Sequence, residues 1–313
     1  MLLRQITISR REEMIKIGIV GITGYAGENL YRLLYNHPHA DIRMICARSS
    51  QGKPVSSLYN DIKSEQVISP IDYEKLNKTD LVFLAVPHGT AKEIAEHIKV
   101  KIIDFTGDHR LTHPYGLPEF FKQEIKTARI IANPGCYATS CLLASLPIKD
   151  KIESAVFHSL SGYSGGGRNH QYETKDNVIP YKLTSHRHNL EMERFLGDHF
   201  IFTPHVIDTL RGILTTSQIF FKEKQSKEEI IEIFREQYRS SLTKVIEGIP
   251  QLRDAVNTPF CYIGGFEQKY PKHISIISAI DNLLKGAASQ AIENMNILFG
   301  LNPSEGLSGK AES

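Results

Sequence analysis

Four cysteines in 313 residues, none of them in a C-x-x-C pair, are too few for a disulfide framework and wrongly spaced for a zinc ribbon. They point to a reducing compartment, the cytoplasm. The formal net charge is only +2, so neither nucleic acid nor an anionic membrane has an electrostatic claim as the main partner. No apolar run approaches the ~20 residues that span a bilayer. Residues 1–13 carry Arg4, Arg10 and Arg11 beside Glu12 and Glu13 and have no apolar h-region. They read as a disordered extension before Met14 rather than a secretory signal. Repeats and low-complexity segments are absent as well. What is present is an ordinary globular balance, 41% hydrophobic and 23% charged, in a chain long enough for two domains.

The run Ile15-Lys16-Ile17-Gly18-Ile19-Val20 reads as a buried parallel strand. Gly21-Ile22-Thr23-Gly24-Tyr25-Ala26-Gly27 follows, and apolar residues from Leu30 recur at helical spacing. Strand, glycine turn and helix in that order suit a dinucleotide, whose pyrophosphate approaches the backbone at the helix start. Gly21, Thr23, Gly24, Tyr25, Ala26 and Gly27 are therefore candidate cofactor residues. The spacing is G-x-x-G-x-x-G, so a glycine turn without ligand stays open. After a second strand over 41–47, the place of a ribose-binding carboxylate holds Arg48-Ser49-Ser50. A guanidinium and two hydroxyls suit a 2′-phosphate, which favours NADP(H) over NAD(H); a surface arginine is the alternative. Further strands over 79–86 and 101–105 end in Pro87-His88-Gly89 and in a turn with Asp108 and Arg110. Ligands bind at the carboxyl ends of such strands. Pro87, His88 and Arg110 are thus expected near the cofactor.

The organising stretch is Ala132-Asn133-Pro134-Gly135-Cys136-Tyr137. A short strand over 128–131 precedes it, and an apolar helix over 141–146 follows. Pro134-Gly135 forces the break and leaves Cys136 at the helix start. Unpaired N–H groups and the helix dipole there favour a thiolate, the nucleophilic form. A small cysteine packed under a helix is the other reading. Cys141 lies about 140° round the helix from Cys136 and reads as core.

Beyond Cys136 a strand over 154–160 runs into Ser161-Gly162-Tyr163-Ser164-Gly165-Gly166-Gly167-Arg168. That loop is expected to close over bound ligand, with Ser164 and Gly165 toward the cofactor and Arg168 on an anionic group. His186-Arg187-His188 opens a short helix; without a nearby carboxylate or cysteine to complete a ligand set, no metal is expected. A strand over 202–207 carries His205, with Arg211 close behind. The small residues 285–291 open a last helix suited to packing back on the first domain. An NADP-type site with a helix-start cysteine points to a reductase working through a thioester. It needs a proton carrier, and a histidine suits. His205 is preferred, with His88, His109 and His188 as rivals.

The chain resembles the N-acetyl-gamma-glutamyl-phosphate reductase family. The matching segments are Gly21–Gly27, Phe83–Gly89, Ile103–Phe105 with Arg110-Leu111, Tyr115–Glu119, Asn133–Tyr137, Ser161–Arg168, His186–His188, His205-Val206 and Arg211-Gly212. They run in family order over roughly residues 15–300. The resemblance implies an α/β chain: a Rossmann NADP-binding domain over 14–137, completed by a C-terminal helix over 285–303. An α+β catalytic and dimerisation domain of the glyceraldehyde-3-phosphate-dehydrogenase-like type would occupy 138–284. It implies Cys136 as nucleophile, His205 as acid/base, and a homodimer or homotetramer acting on a small acyl phosphate or aldehyde. Asn133, Arg110, Arg168, His188 and Arg211 are the candidate substrate residues, with the phosphate on Arg110 or Arg168. Ile207-Asp208-Thr209-Leu210 stands where the family has a Pro-Met-x type segment, which would bring a carboxylate beside the site. Alternatives are the lysine-pathway relative that reduces a carrier-linked aminoadipyl phosphate, aspartate-semialdehyde dehydrogenase, and a non-catalytic NADP sensor.

Overall fold

The structure, a computed structural model, describes residues 14–168 and 172–307; the expected N-terminal extension over 1–13 lies outside them. The β-branched run becomes β1 (Ile15–Val20), buried at every position but Lys16. It pairs in a five-stranded sheet with β2 (Ala40–Cys46), β3 (Leu81–Leu84), β4 (Lys101–Asp104) and β5 (Ile130–Ala132). The order is β2-β1-β3-β4-β5 and every pairing is parallel. A parallel sheet must be covered on both faces. One face packs Ile17, Ile19 and Phe83 under α1 (Tyr25–Tyr35). The other packs Val82 and Leu84 under α3 (Ala91–Glu96), with Leu76 of α2 (Tyr73–Leu76). A further helix, α4 (Pro118–Thr127), occupies what reads in the sequence as part of a turn-rich connector. Pro118 opens it, where the missing N–H has no helical partner to lose.

The second sheet has seven strands and mixed direction. It is built from β6 (Ile152–Gly162), β7 (Val178–Pro180), β8 (Phe200–Ile207), β9 (Ile213–Phe221), β10 (Thr243–Val245), β11 (Cys261–Tyr270) and β12 (His273–Ile280). Its order is β10-β11-β12-β9-β6-β8-β7. On one face lie α5 (Cys136–Leu143) and α7 (Lys227–Tyr238), joined in one core to Phe157, Ile219 and Ile276. α6 (His188–Leu196) and α8 (Leu252–Ala255) complete this half. A chain of buried hydroxyls fastens α5 to the sheet. Ser140 Oγ lies 2.8 Å from both Thr215 Oγ1 and Ser278 Oγ, and Ser159 Oγ lies 2.8 Å from Thr215 Oγ1. Cys141 Sγ sits 3.8 Å from Ser159 Oγ, and burial pushes its thiol up to about 12, which suits the core role read from the sequence.

The last helix, α9 (Ala288–Leu298), begins later than residue 285 because Asp281 ties the preceding turn, accepting from the N–H of Leu283 and Leu284. Every α9 residue is buried. Ala288, Ala291, Ile292 and Met295 join the core of the first sheet. Between α9 and α4, Lys285 is fully enclosed and donates to Glu119 Oε1 and Glu293 Oε2, each at 2.8 Å. Two carboxylates thus share one ammonium where water cannot reach. Burial raises Glu293 from 4.5 to about 7, although Lys285 pulls it back. Between those values the folded chain holds a proton that the unfolded chain has released, so this group's stabilisation fades as pH rises from about 5 through about 7. Glu293→Gln, an isostere of the protonated acid, is expected to flatten the fall in unfolding temperature across that window. Thermal scans at stepped pH check this; an unchanged slope would place the proton elsewhere.

Candidate active site

The two halves meet in a cleft of about 1480 Å³. Its first wall is the carboxyl end of the parallel sheet. Gly21, Thr23, Gly24, Tyr25 and Ala26 line it, as do Arg48 and Ser49 after β2 and Pro87 and His88 after β3. Ser164 and Gly165 close it from the opposite half. Two expected cofactor residues do not line the cleft. Gly27 is buried, and a Cβ there would collide with the Gly21 carbonyl, so its role is the close crossing of helix and strand. Ser50 sits at φ 64° in the turn after Arg48. Arg48 is exposed with no partner for its guanidinium among the described residues. His88 Nδ1 accepts the Gly107 N–H at 2.9 Å, which leaves its Nε2 as the donor. Asp108 accepts from the N–H of Gly89 and Ala91 and so serves the start of α3.

Cys136 is the first residue of α5, with Gly135 as its N-cap and no side chain capping that position. A helix start alone does not make this thiol acidic. Burial pushes Cys136 up, while Arg187, Arg110 and the Tyr137 N–H pull it back. Expectation and structure agree on position and differ on net effect, because the cleft withdraws more solvent than the helix end compensates.

The residue that builds this corner is Glu191 on α6, which the sequence reading passed over. Its carboxylate is buried and accepts from Arg110 at 2.7 Å, from the Tyr115 hydroxyl at 2.8 Å and from the Gly135 N–H at 2.9 Å. An anion thus sits at the N-terminus of α5 and pins the turn that carries Cys136. The helical spacing of His188 and Glu191, three residues apart, was the available signal. His188 Nε2 lies 3.7 Å from Glu191, and His188 Nδ1 is buried without a hydrogen-bond partner among the described residues. A Cβ on Gly135 would collide with that imidazole, so only glycine lets the ring reach the turn. Burial, with Arg110, His186 and Arg187, holds His188 well below its usual range and therefore neutral. His186 shares the cleft wall, but its ring nitrogens meet the Tyr181 hydroxyl and the His188 N–H.

His205 is a correction. Strand alternation turns Phe202 and Val206 toward α5, and Val206 lines the cleft. The His205 ring therefore points to the sheet's other face, beside Leu160, its partner in register. Only its carbonyl faces the site, accepting from the Tyr137 hydroxyl at 2.9 Å. His109 is spent on buried Asp104, at 2.6 Å.

The other expected substrate residues divide. Arg110 lines the cleft but is held: besides its ion pair with Glu191 it donates to the carbonyls of Asn133 and Phe105. Asn133 donates to the Ala287 carbonyl and accepts from Asn294, holding the turn before α9. Arg168 crosses to the glycine turn, donating to the Thr23 carbonyl at 2.9 Å, pairing with Glu28 and stacking over Tyr25 at 4.5 Å. Arg211 lies outside the cleft and clamps Asp281, Asn257 and Asn29. Asp208 is exposed and bonds Thr174 and the Asp176 N–H, away from the lining. Among the described residues no cluster of His, Cys, Asp and Glu could hold a metal, all four cysteines are free, and no helix is long and apolar enough to cross a membrane.

Comparison with known proteins accords with this geometry. Residues 16–128 match the semialdehyde dehydrogenase NAD-binding domain and residues 136–282 the semialdehyde dehydrogenase dimerisation domain. The chain is 38% identical to an N-acetyl-gamma-glutamyl-phosphate reductase of Methanosarcina acetivorans, across 94% of this chain and 98% of the relative. A protein of the same name from Methanocaldococcus jannaschii is also 38% identical over the same shares. Among solved structures, an aspartate semialdehyde dehydrogenase II of Vibrio cholerae aligns with a TM-score of 0.75 at 19% identity, covering 92% of this chain and 99% of that one. An aspartate semialdehyde dehydrogenase of Candida albicans solved with NADP aligns at 0.76 and 16% identity, covering 93% and 100%. At such identities the structures establish the fold. The sequence relatives go further: the chain belongs to the semialdehyde dehydrogenase family, among the N-acetyl-gamma-glutamyl-phosphate reductases.

Proposed function

We propose that the chain reduces N-acetyl-L-glutamyl 5-phosphate to N-acetyl-L-glutamate 5-semialdehyde and phosphate, a step of arginine biosynthesis, through a thioester on Cys136. One observation carries this reading: Cys136 opens α5 inside the same cleft that holds the glycine turn, with His188 packed against its turn. NADPH supplies the hydride when bound. The glycine turn suits its pyrophosphate, and the unpartnered Arg48 with Ser49 suits a 2′-phosphate, with no carboxylate there to repel it.

The neutral His188 takes the Cys136 proton as the sulfur attacks the acyl carbon. Glu191, 3.7 Å away, stabilises the imidazolium that forms. The sulfur–carbon bond forms and the carbon–oxygen bond to phosphate breaks. Free N–H groups in the first turn of α5 face the developing oxyanion. After reduction, the same imidazolium returns its proton while the hemithioacetal collapses to aldehyde and thiol. His188 therefore takes the role the sequence reading assigned to His205.

The sheet face opposite α5 supports a homodimer or homotetramer. Ile201 and Phe220 lie on it and are 63% and 40% exposed. A monomer mass by light scattering would contradict this. Four free cysteines fit the cytoplasm.

The function is tested by NADP+ reduction with the acetylglutamate, aminoadipate and aspartate semialdehydes side by side, with phosphate, and again with NAD+. The acetylglutamate aldehyde with NADP+ is expected to give the highest kcat/KM by at least about tenfold. Preference for either other aldehyde would reassign the substrate.

A further inference from the structure

Four guanidinium groups line the cleft: Arg48, Arg110, Arg168 and Arg187. An acyl phosphate brings a dianionic leaving group, and a guanidinium can take two of its oxygens in parallel bonds, which the ammonium of Lys182 on the same wall cannot. Arg110 is buried and ion-paired with Glu191, and three of its five N–H donors go to Glu191 and two backbone carbonyls, so its charge is already answered. Arg168 is committed to Thr23, Glu28 and the Tyr25 ring on the nucleotide side. Arg48 follows β2 by two residues, at the nucleotide end of the cleft. Arg187 remains. It is the N-cap of α6, set between His186 and His188, and among the described residues no hydrogen bond or ion pair holds its guanidinium.

Resting on the reductase reading above, we infer that Arg187 binds the phosphoryl group of the acyl phosphate, and inorganic phosphate in the reverse direction. Arg187 lines the same cleft as Cys136 and is joined to His188, whose ring packs on the Gly135 turn that carries the sulfur, so it stands at the reacting end of the substrate. The substrate's α-carboxylate lies roughly 5 Å further along the carbon chain and belongs to another part of the cleft. When Cys136 attacks, the phosphate departs with the electron pair of the broken carbon–oxygen bond. A guanidinium already in place neutralises that charge without reorganising. The step requires no oxidant; the thiol proton goes to His188.

The test uses the full chain with Arg187→Met and Arg187→Lys. With acetylglutamate semialdehyde and NADP+, Arg187→Met is expected to raise the KM for inorganic phosphate by about 10- to 100-fold. The KM values for aldehyde and NADP+ should stay within about twofold, and Arg187→Lys should recover part of the loss. A second arm does not depend on turnover. Inorganic phosphate should slow alkylation of wild-type Cys136 by iodoacetamide, and this protection, taken as a ratio of rates, should vanish in Arg187→Met. Protection that survives in the variant overturns the assignment, as does a raised aldehyde KM with an unchanged phosphate KM. A wild-type enzyme that oxidises none of the aldehydes would instead remove the reductase reading, and the alkylation arm still decides Arg187.

Discussion

Cys136→Ser is expected to lower turnover by on the order of 10³-fold or more while NADPH binding stays within about twofold. A serine hydroxyl at this helix start is far less acidic than a thiol. The groups that pull the cysteine proton off, chiefly Arg187 and Arg110 with the Tyr137 N–H, already work against burial. They have no reserve with which to ionise an alcohol. The substitution removes one atom's chemistry and almost no volume, so the fold should be intact. Turnover with saturating aldehyde, phosphate and NADP+, together with NADPH fluorescence on binding, reads both quantities. A variant retaining a tenth of wild-type turnover would exclude the thioester.

Glu191→Ala is expected to act twice. Arg110 would be left buried with its charge unanswered, since it is only 4% exposed. Breaking such a pair from one side costs about 3–5 kcal/mol. The Tyr115 hydroxyl and the Gly135 N–H lose their acceptor at the same time. The turn that aims Cys136 then loses its anchor, and kcat should fall about 100-fold with KM little changed. Denaturant unfolding measures the first effect and steady-state rates the second. Glu191→Gln should keep an acceptor for Gly135 and recover part of kcat while remaining destabilised. If the glutamine variant loses as much kcat as the alanine variant, the carboxylate's role is charge on His188 rather than aim.

What could be read from the chain alone was local in character. The run at 15–20, the glycine turn, Arg48-Ser49 and the Pro134-Gly135 break each write their conformation in adjacent residues, and each is found where expected. The helix at Pro118 was hidden because aromatic neighbours and a Tyr-Gly-Leu-Pro lead-in read as turn. The site was harder, because its decisive contacts cross long sequence separations. Glu191 meets Arg110 across 81 residues and Gly135 across 56. Arg168 reaches Thr23 across 145. Nothing near Arg110, Arg168 or Arg211 announces that a carboxylate distant in sequence already pairs with it. Proximity to Arg211 in sequence favours His205, yet one step of strand alternation turns its ring from the cleft. His188 looked like half of an abandoned metal pair; its value lies in what α6 packs against.

The most direct test is a half-reaction. Enzyme, NADP+ and acetylglutamate semialdehyde are mixed in phosphate-free buffer, and the quenched protein is mapped by mass spectrometry. The expected result is a burst of one NADPH per active site with the acyl group on the peptide bearing Cys136. An acyl group on any other residue, or a full burst with Cys136 unmodified and still open to alkylation, would contradict the account.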